Sequence, residues 1–502
     1  MKKALKIIGI ALLTLTVVTV VVIKRDTVKI YGGLTHKVDH QALTPATEDY
    51  YITNAHILHA DGDTFTTGQT LQVVDGIITA IDTLALDPNI KTYDAQGKYL
   101  IPGLIDSHVH LFKSENDLLL YVANGVTQIR EMIGEPDHIT WKNEIADGRL
   151  GPDMYVTSPR LGSFGALEGW FMSYSQGFDN VSTVEEAKNY VQSAKEKGYD
   201  GIKIYSHLNK ESYDAISDEI VHHDLDMVGH IPWFSSWDDI LTSNQNEIAH
   251  VEEVMNAYRR EFGDVGGRDD EFLEYIRTRT QEIAPQLIKK DISVTTTVWL
   301  AESFYRQKID LDAVLRDVAL EYENPGISEW NKMIPVGIGW LPEVNRYKVP
   351  EGLNEEEAAG HLRFFETYSQ ACTLVLTLLH EEGVNILAGT DANLPPTVPG
   401  FSLHDELISM QAAGMSPAEV LRSATKKPAE WLDIDAGVID TGMKANMVLL
   451  DRNPLEDISN TKTISKVFLN GRTLERSQLD DILTTIRSAN DKSRSVDIDE
   501  FL

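Results

Sequence analysis

The chain has 502 residues, 42% hydrophobic and 24% charged, the make-up of a globular protein with a large buried core and, by length, about two to four domains. Asp and Glu number 77 against 45 Lys and Arg, and the formal charge of -32 repels phosphate backbones, which argues against nucleic-acid binding. A single cysteine, Cys372 in an apolar helical run, excludes an intrachain disulfide and a thiolate-rich metal site.

Residues 1–25 read as a targeting segment: Lys2, Lys3 and Lys6 precede an uncharged run from Ile7 to Ile23, closed by Lys24 and Arg25. With no small-x-small cleavage site after the run, a signal-anchor is favoured over a removed signal peptide. The expected location is membrane-anchored or exported, with the globular part on the periplasmic or extracellular side.

From Tyr50 to Tyr99 apolar and polar residues alternate as in strands, with turns at Asp75-Gly76 and Gln96-Gly97. Similar runs with turns at Thr441-Gly442 and Asn470-Gly471 lie near the other end. Together, residues 46–100 and 437–480 predict one small β-sandwich assembled from both ends of the chain, leaving 481–502 as a peripheral tail.

Between these segments, strand-like runs alternate with helical patterns such as Val184–Lys197 and Asn209–His222. The strands expected are Leu104–His110, Val126–Met132, Met154–Ser158, Gly201–Tyr205, Asp226–His230, Glu247–Val251, Ser293–Val298 and Asn385–Asp391. Eight in this order predict an α/β fold, a (β/α)8 TIM barrel over residues 101–436. The acidic stretch 255–362, rich in Trp, Tyr and Pro, exceeds what barrel loops need and is expected to be inserted at the mouth.

In such a barrel, chemistry gathers at the C-terminal ends of the strands. His108 and His110, two apart, leave one strand on one face and suit a single cation. Lys203 lies within the fourth strand, and His230 ends the fifth, His250 the sixth and Asp391 the eighth. Singly, each histidine also fits a hydrogen-bonded structural role and Asp391 a helix N-cap. Jointly, six ligand-type residues at strand ends point to a metal site. Lys203, flanked by Ile202 and Ile204, faces the interior and needs a charge partner there.

These motifs, "PGLIDSHVHL", "NGVTQIREM", "GIKIY", "VGHI", "IAHVEE" and "LAGTDA", with "SLHDELISMQAAGMSPAEVLRSATKKPAEWL" and "GVIDTGMKANMVLLDRNPLEDI", resemble the amidohydrolase superfamily over residues 50 to 475. Within it they resemble the imidazolonepropionase-like branch, which includes metal-dependent dipeptidases. The resemblance implies two divalent metal ions, usually zinc. His108, His110 and Asp391 would hold one and His230 and His250 the other, with a CO2-derived carbamate on Lys203 bridging them. It implies hydrolysis of a C–N bond in an amide, peptide-like or cyclic amide substrate by a metal-bridging hydroxide, with Asp391 as the catalytic base and then acid. The same centre would serve a lactonase or phosphotriesterase-like hydrolase, and a membrane-tethered binding protein without turnover is the non-catalytic alternative.

Tyr205, His207, Trp233, Arg130 and Arg160 are candidate substrate contacts, and His404 is expected to support the loop after the eighth strand. Two features of prolidase-like relatives are missing: the tyrosine after the fifth-strand histidine, where Ile231, Pro232 and Trp233 stand, and a histidine in Leu161–Trp170. The expected partners are a small-molecule substrate, the membrane if the leader is uncleaved, and a second copy in a homo-oligomer.

Overall fold

The computed structural model describes residues 14, 22, 24–329 and 338–502. Apart from residues 14 and 22, the apolar run Ile7–Ile23 lies outside these. Among the described residues no helix is long and apolar enough to cross a membrane.

Eight parallel strands organise the centre: β1 (Leu104–Val109), β2 (Val126–Glu131), β3 (Asp153–Val156), β4 (Gly201–Ile204), β5 (Asp226–Gly229), β6 (Glu247–Ile248), β7 (Ser293–Thr295) and β8 (Ile386–Leu387). β1 to β3 pair as one sheet and β4 to β8 as another, neighbours in sequence being neighbours in space. Parallel bridges join the two sheets at both edges, Thr157 to Gly201 and Val109 to Ala392. Each strand overlaps its predicted range, but several stop early. β6 ends before His250 and β8 before Asp391, because these residues adopt positive φ, 75° and 58°, outside the extended region.

The flanking helices bury one stripe each, as their sequences dictate. Val184–Glu196 starts at a Thr183–Glu186 capping box and buries Ala187, Val191 and Ala194, spaced by three and four. Cys372 is fully buried on the long helix Glu355–Glu381.

Two further sheets are built from the ends of the chain. A six-stranded sheet runs in the order Arg472–Glu475, Ile464–Leu469, Met447–Leu450, Tyr99–Pro102, His56–Leu58, Phe65–Thr66, so three strands come from each end. A four-stranded sheet of Ile77–Asp82, Thr70–Val74, Tyr50–Thr53 and Lys91–Asp94 shares its core, where Tyr50 stacks on Phe468 with centroids 5.1 Å apart. At Asp75-Gly76 and Asn470-Gly471 both turn residues have positive φ, the geometry that lets a two-residue hairpin follow strand twist.

Two boundaries differ from the sequence reading. The tail is not peripheral. Arg476–Asp491 is an amphipathic helix burying Leu479, Ile482 and Ile486, and Asn490 donates to the Tyr322 carbonyl at 2.9 Å. Beyond it, Ile498 and Phe501 enter a third apolar cluster with Leu320 and Trp340. Polar composition hid an apolar stripe one residue in three or four wide. Likewise, 255–362 is not wholly an insertion, since Val251–Phe262, Asp269–Lys289 and β7 form the regular scaffold leading on from β6.

His404 is structural, but it ties together the Asn124 and Thr461 segments rather than the loop after the eighth strand. Its Nδ1 pairs with Thr461 Oγ1 at 2.9 Å and its Nε2 with the Asn124 carbonyl at 3.1 Å. Burial, aided by Lys462, lowers its pKa to about 3.

Two outcomes are expected. Ile482→Ala should cost roughly 2–5 kcal/mol of unfolding free energy by urea titration, whereas a peripheral tail would leave the midpoint unmoved. Because the folded His404 pKa lies below the ordinary 6.5, its contribution to stability is complete above that value and falls as pH drops toward 3. Between pH 7 and 5 the slope of stability with pH should be shallower in His404→Gln than in the parent, by up to about 1.4 kcal/mol per pH unit.

Candidate metal centre

The C-terminal end of β1 carries His108 and His110, edge to face with ring centroids 5.0 Å apart. Asp391 is drawn to them by the chain leaving β8. Thr390 donates from Oγ1 to Asp106 at 2.7 Å, and the Asp391 amide donates to the His108 carbonyl at 2.8 Å. Gly389 permits this approach, since a Cβ there would lie 2.9 Å from the His108 backbone nitrogen. Asp391 Oδ1 is 2.7 Å from His110 Nε2 and 3.4 Å from His108 Nε2. The three residues offer ligand atoms all within 4.8 Å of one another. Oδ1 is buried yet makes no aligned hydrogen bond, which fits an oxygen waiting for a cation rather than an N–H donor.

Lys203, fully buried on β4, reaches within 3.5 Å of His108 Nε2. Among the described residues no carboxylate stands at ion-pair distance from its ammonium, so the partner expected of it is not a protein acid. The His250 ring lies 4.3 Å from that of His108, and His230 follows at 5.3 Å from His250. His250 Nδ1 is held by Thr297 Oγ1 at 3.0 Å. His230 Nδ1 is held by Ser206 Oγ at 2.9 Å and Glu253 Oε1 at 3.2 Å. An oxygen partner on one ring nitrogen fixes the tautomer and leaves the other free to ligate, the usual arrangement behind a metal-bound imidazole. The structure thus brings His108, His110 and Asp391 into one compact group, with Lys203 and His250 against it and His230 behind His250.

Burial controls the charges. It lowers His250 to about 3, with His230 and Lys203 acting the same way against Asp391. It takes His108 well below the ordinary histidine value, helped by Lys203 and His250. Both rings are neutral near pH 7 and have a lone pair to give. At His110 burial is outweighed by Asp391 and Glu131, and the pKa rises. Burial alone would raise Asp391, but His250, His110 and Lys203 pull it far below the carboxylate range. Burial brings Lys203 down to about 8 against the attraction of Glu247 and Asp391.

A cavity of about 900 Å³ opens over the centre, with His110, His230, His250 and Asp391 in its wall. Tyr205, Trp233 and Arg160 also line it, and Tyr205 lies 4.1 Å from the His230 ring. Two predicted substrate contacts do not reach it. Arg130 is fully buried in the interior, 3.7 Å from Glu247 and 4.0 Å over the Trp431 ring. His207 packs behind Trp233, with centroids 4.4 Å apart.

The supporting residues escaped the sequence reading. Glu131 accepts from the Leu111 and Ile133 amides at 2.5 and 2.8 Å and sits 3.9 Å from His110 Nδ1. Glu253 had a usable signal, its position three residues after His250 on the first turn of a helix. Thr297, with φ of 57°, had none.

A family model described as the amidohydrolase family matches residues 342–474. Imidazolonepropionase from Phocaeicola vulgatus is 38% identical over 74 residues, 12% of this chain and 18% of that protein. Adenine deaminase from Leuconostoc citreum is 35% identical over 100 residues, 18% of this chain and 17% of that protein. The matches therefore span less than a fifth of either curated relative's length. Bottromycin amidohydrolase, a solved structure, shares the fold with a TM-score of 0.66 at 20% identity, covering 92% of this chain and 96% of its own.

Thr297→Val keeps the shape of the side chain and removes the oxygen behind His250. Zinc affinity, measured by chelator competition, should fall roughly 10–100-fold. Unchanged affinity would mean that His250 is not a ligand.

Proposed function

We propose that the chain, a member of the amidohydrolase superfamily, is a metal-dependent hydrolase of C–N bonds in small amide, peptide-like or cyclic amide molecules. The observation that carries this is the convergence of His108, His110 and Asp391 with Lys203 and His250 at the floor of one large cavity. The eight parallel strands and the bridges at both sheet edges support a closed (β/α)8 barrel, with the ligands at its C-terminal mouth. The sandwich of residues 46–100 and 437–480 forms the second domain. The basic-flanked apolar run Ile7–Ile23 supports export or anchoring, a point that detergent partitioning of the full chain checks.

His108, His110 and Asp391 would hold one divalent ion, with zinc the best match to two imidazoles and a carboxylate, and His230 and His250 a second. Lys203 lies between the two sets without a carboxylate partner. Its ammonium would first lose a proton; the neutral amine would then attack CO2, forming an N–C bond and releasing a second proton, so that a stranded cation becomes a two-oxygen anion suited to divalent ions. When bound, the ions lower the pKa of water and polarise the substrate carbonyl. The protein supplies the rest. Asp391, ionised, accepts the proton of the attacking water on its carboxylate and returns it to the leaving nitrogen. Glu253 and Thr297 keep the His230 and His250 rings oriented, and the burial of His108 and Lys203 keeps bulk water from the centre's inner side.

Metal-loaded protein screened against N-acyl amino acids, dipeptides and cyclic amides should hydrolyse members of at least one set, and inactivity on all three would end the hydrolase reading. Lys203→Ala should bind at most one equivalent of metal and lose at least about 100-fold in activity. Two equivalents retained in that variant would end the bridging role.

A further inference from the structure

The helix Val298–Ile309, which follows β7, turns one stripe toward the cavity: Leu300, Phe304 and Lys308, four residues apart. Lys308 is an unusual member of that wall. Only 9% exposed, its ammonium donates to the Tyr347 carbonyl at 2.5 Å and lies 3.7 Å over the Phe365 ring. Both partners are neutral, and among the described residues no carboxylate stands at ion-pair distance. Buried charges in proteins are ordinarily paired, so this ammonium has one N–H and a full charge without a counterpart.

The surroundings favour an anion arriving from outside. In a chain of net charge -32, Arg160, Arg259, Arg260 and Arg346 line the same cavity as Lys308. Of the carboxylates that also line it, Glu252 accepts from Tyr368, Glu253 faces His230 and Asp391 belongs to the candidate metal centre. Next to Lys308, Phe304 and Tyr347 stack with centroids 4.9 Å apart and nearly parallel planes, a flat apolar surface beside the charge.

We propose that Lys308 is the anion subsite of this cavity, taking the carboxylate of a small substrate whose apolar part packs on Phe304, Tyr347 and Phe365. The inference rests on the hydrolase reading for the identity of the occupant as a substrate, but its test needs no turnover. A single flexible ammonium suits a compact monoanion, and the acidic groups nearby disfavour a dianion.

The probes are phenylacetate and its neutral isostere phenylacetamide, titrated calorimetrically into the full-length protein, both zinc-loaded and chelated. Phenylacetate should bind at least about 10-fold more tightly in both states, as expected for a hydrogen bond to a charged group. The preference should collapse toward unity in Lys308→Met and persist in Lys308→Arg. Equal binding of the two probes by the parent protein would overturn the proposal, as would absence of binding by either. So would a preference that survives Lys308→Met, or one lost on chelation, which would seat the anion on the metal. Should Lys308→Met fail to fold, the NMR signal of Lys308 in reductively ¹³C-methylated parent protein takes its place. That signal should shift with phenylacetate and not with phenylacetamide, and a shift with neither or with both counts against the subsite. If no amide is ever hydrolysed, the hydrolase reading fails while these binding results stand.

Discussion

An ionised carboxylate with almost no water around it can persist only where positive charge or aligned donors replace its hydration, and Asp391 is such a group. Its presence organises what lies nearby. The imidazoles of His110 and His108 converge on one of its oxygens, and Lys203 and His250 add their fields from the other strands. Holding it there requires β8 to close against β1, through the Asp106 carboxylate and the Thr390 hydroxyl. The positive φ of Asp391 and of His250 is part of the same arrangement, with locally unfavourable backbone held by the surrounding bonds.

Beneath this layer the interior is polar as well. Arg130 and Glu247 face each other fully buried, Thr295 donates to Glu247, and the guanidinium carbon lies 4.0 Å from the centre of the Trp431 ring. Arg130 therefore acts on the centre from below. Its field helps to lower both His108 and Lys203, favouring their neutral forms, which are the forms able to bond to something other than a proton.

Much of this was legible in the sequence because it obeys short-range rules. The two-residue spacing of His108 and His110 fixes a shared face, the turn dipeptides fix hairpins, and apolar runs between helical patterns mark the parallel strands. What was not legible depends on contacts between residues far apart in the chain. The support of Glu131 and Thr297 is defined by where a ring nitrogen ends up, not by spacing. Arg130 and Lys203 look alike on paper, each a cation inside a strand of the central set. Both are fully buried, and their partners separate them, since one lies within reach of an acid and the other within reach of His108. The C-terminal helix was missed for a different reason. Its three apolar anchors are diluted by polar neighbours, and packing against the Arg472–Glu475 strand and the Leu320–Tyr322 turn, rather than composition, makes it part of the core.

The sheet shared by the two ends of the chain sets an order of events in biosynthesis. Tyr99–Pro102 pairs with Met447–Leu450, and Lys98 reaches Ser465, 367 residues further on. The first strands to leave the ribosome therefore have an open edge until nearly the whole chain has been made. Closing so long a loop carries a large entropic cost unless the intervening strands and helices have already compacted and brought the ends together. The two-ended sheet is thus sealed late, a clasp that shuts on a body already built.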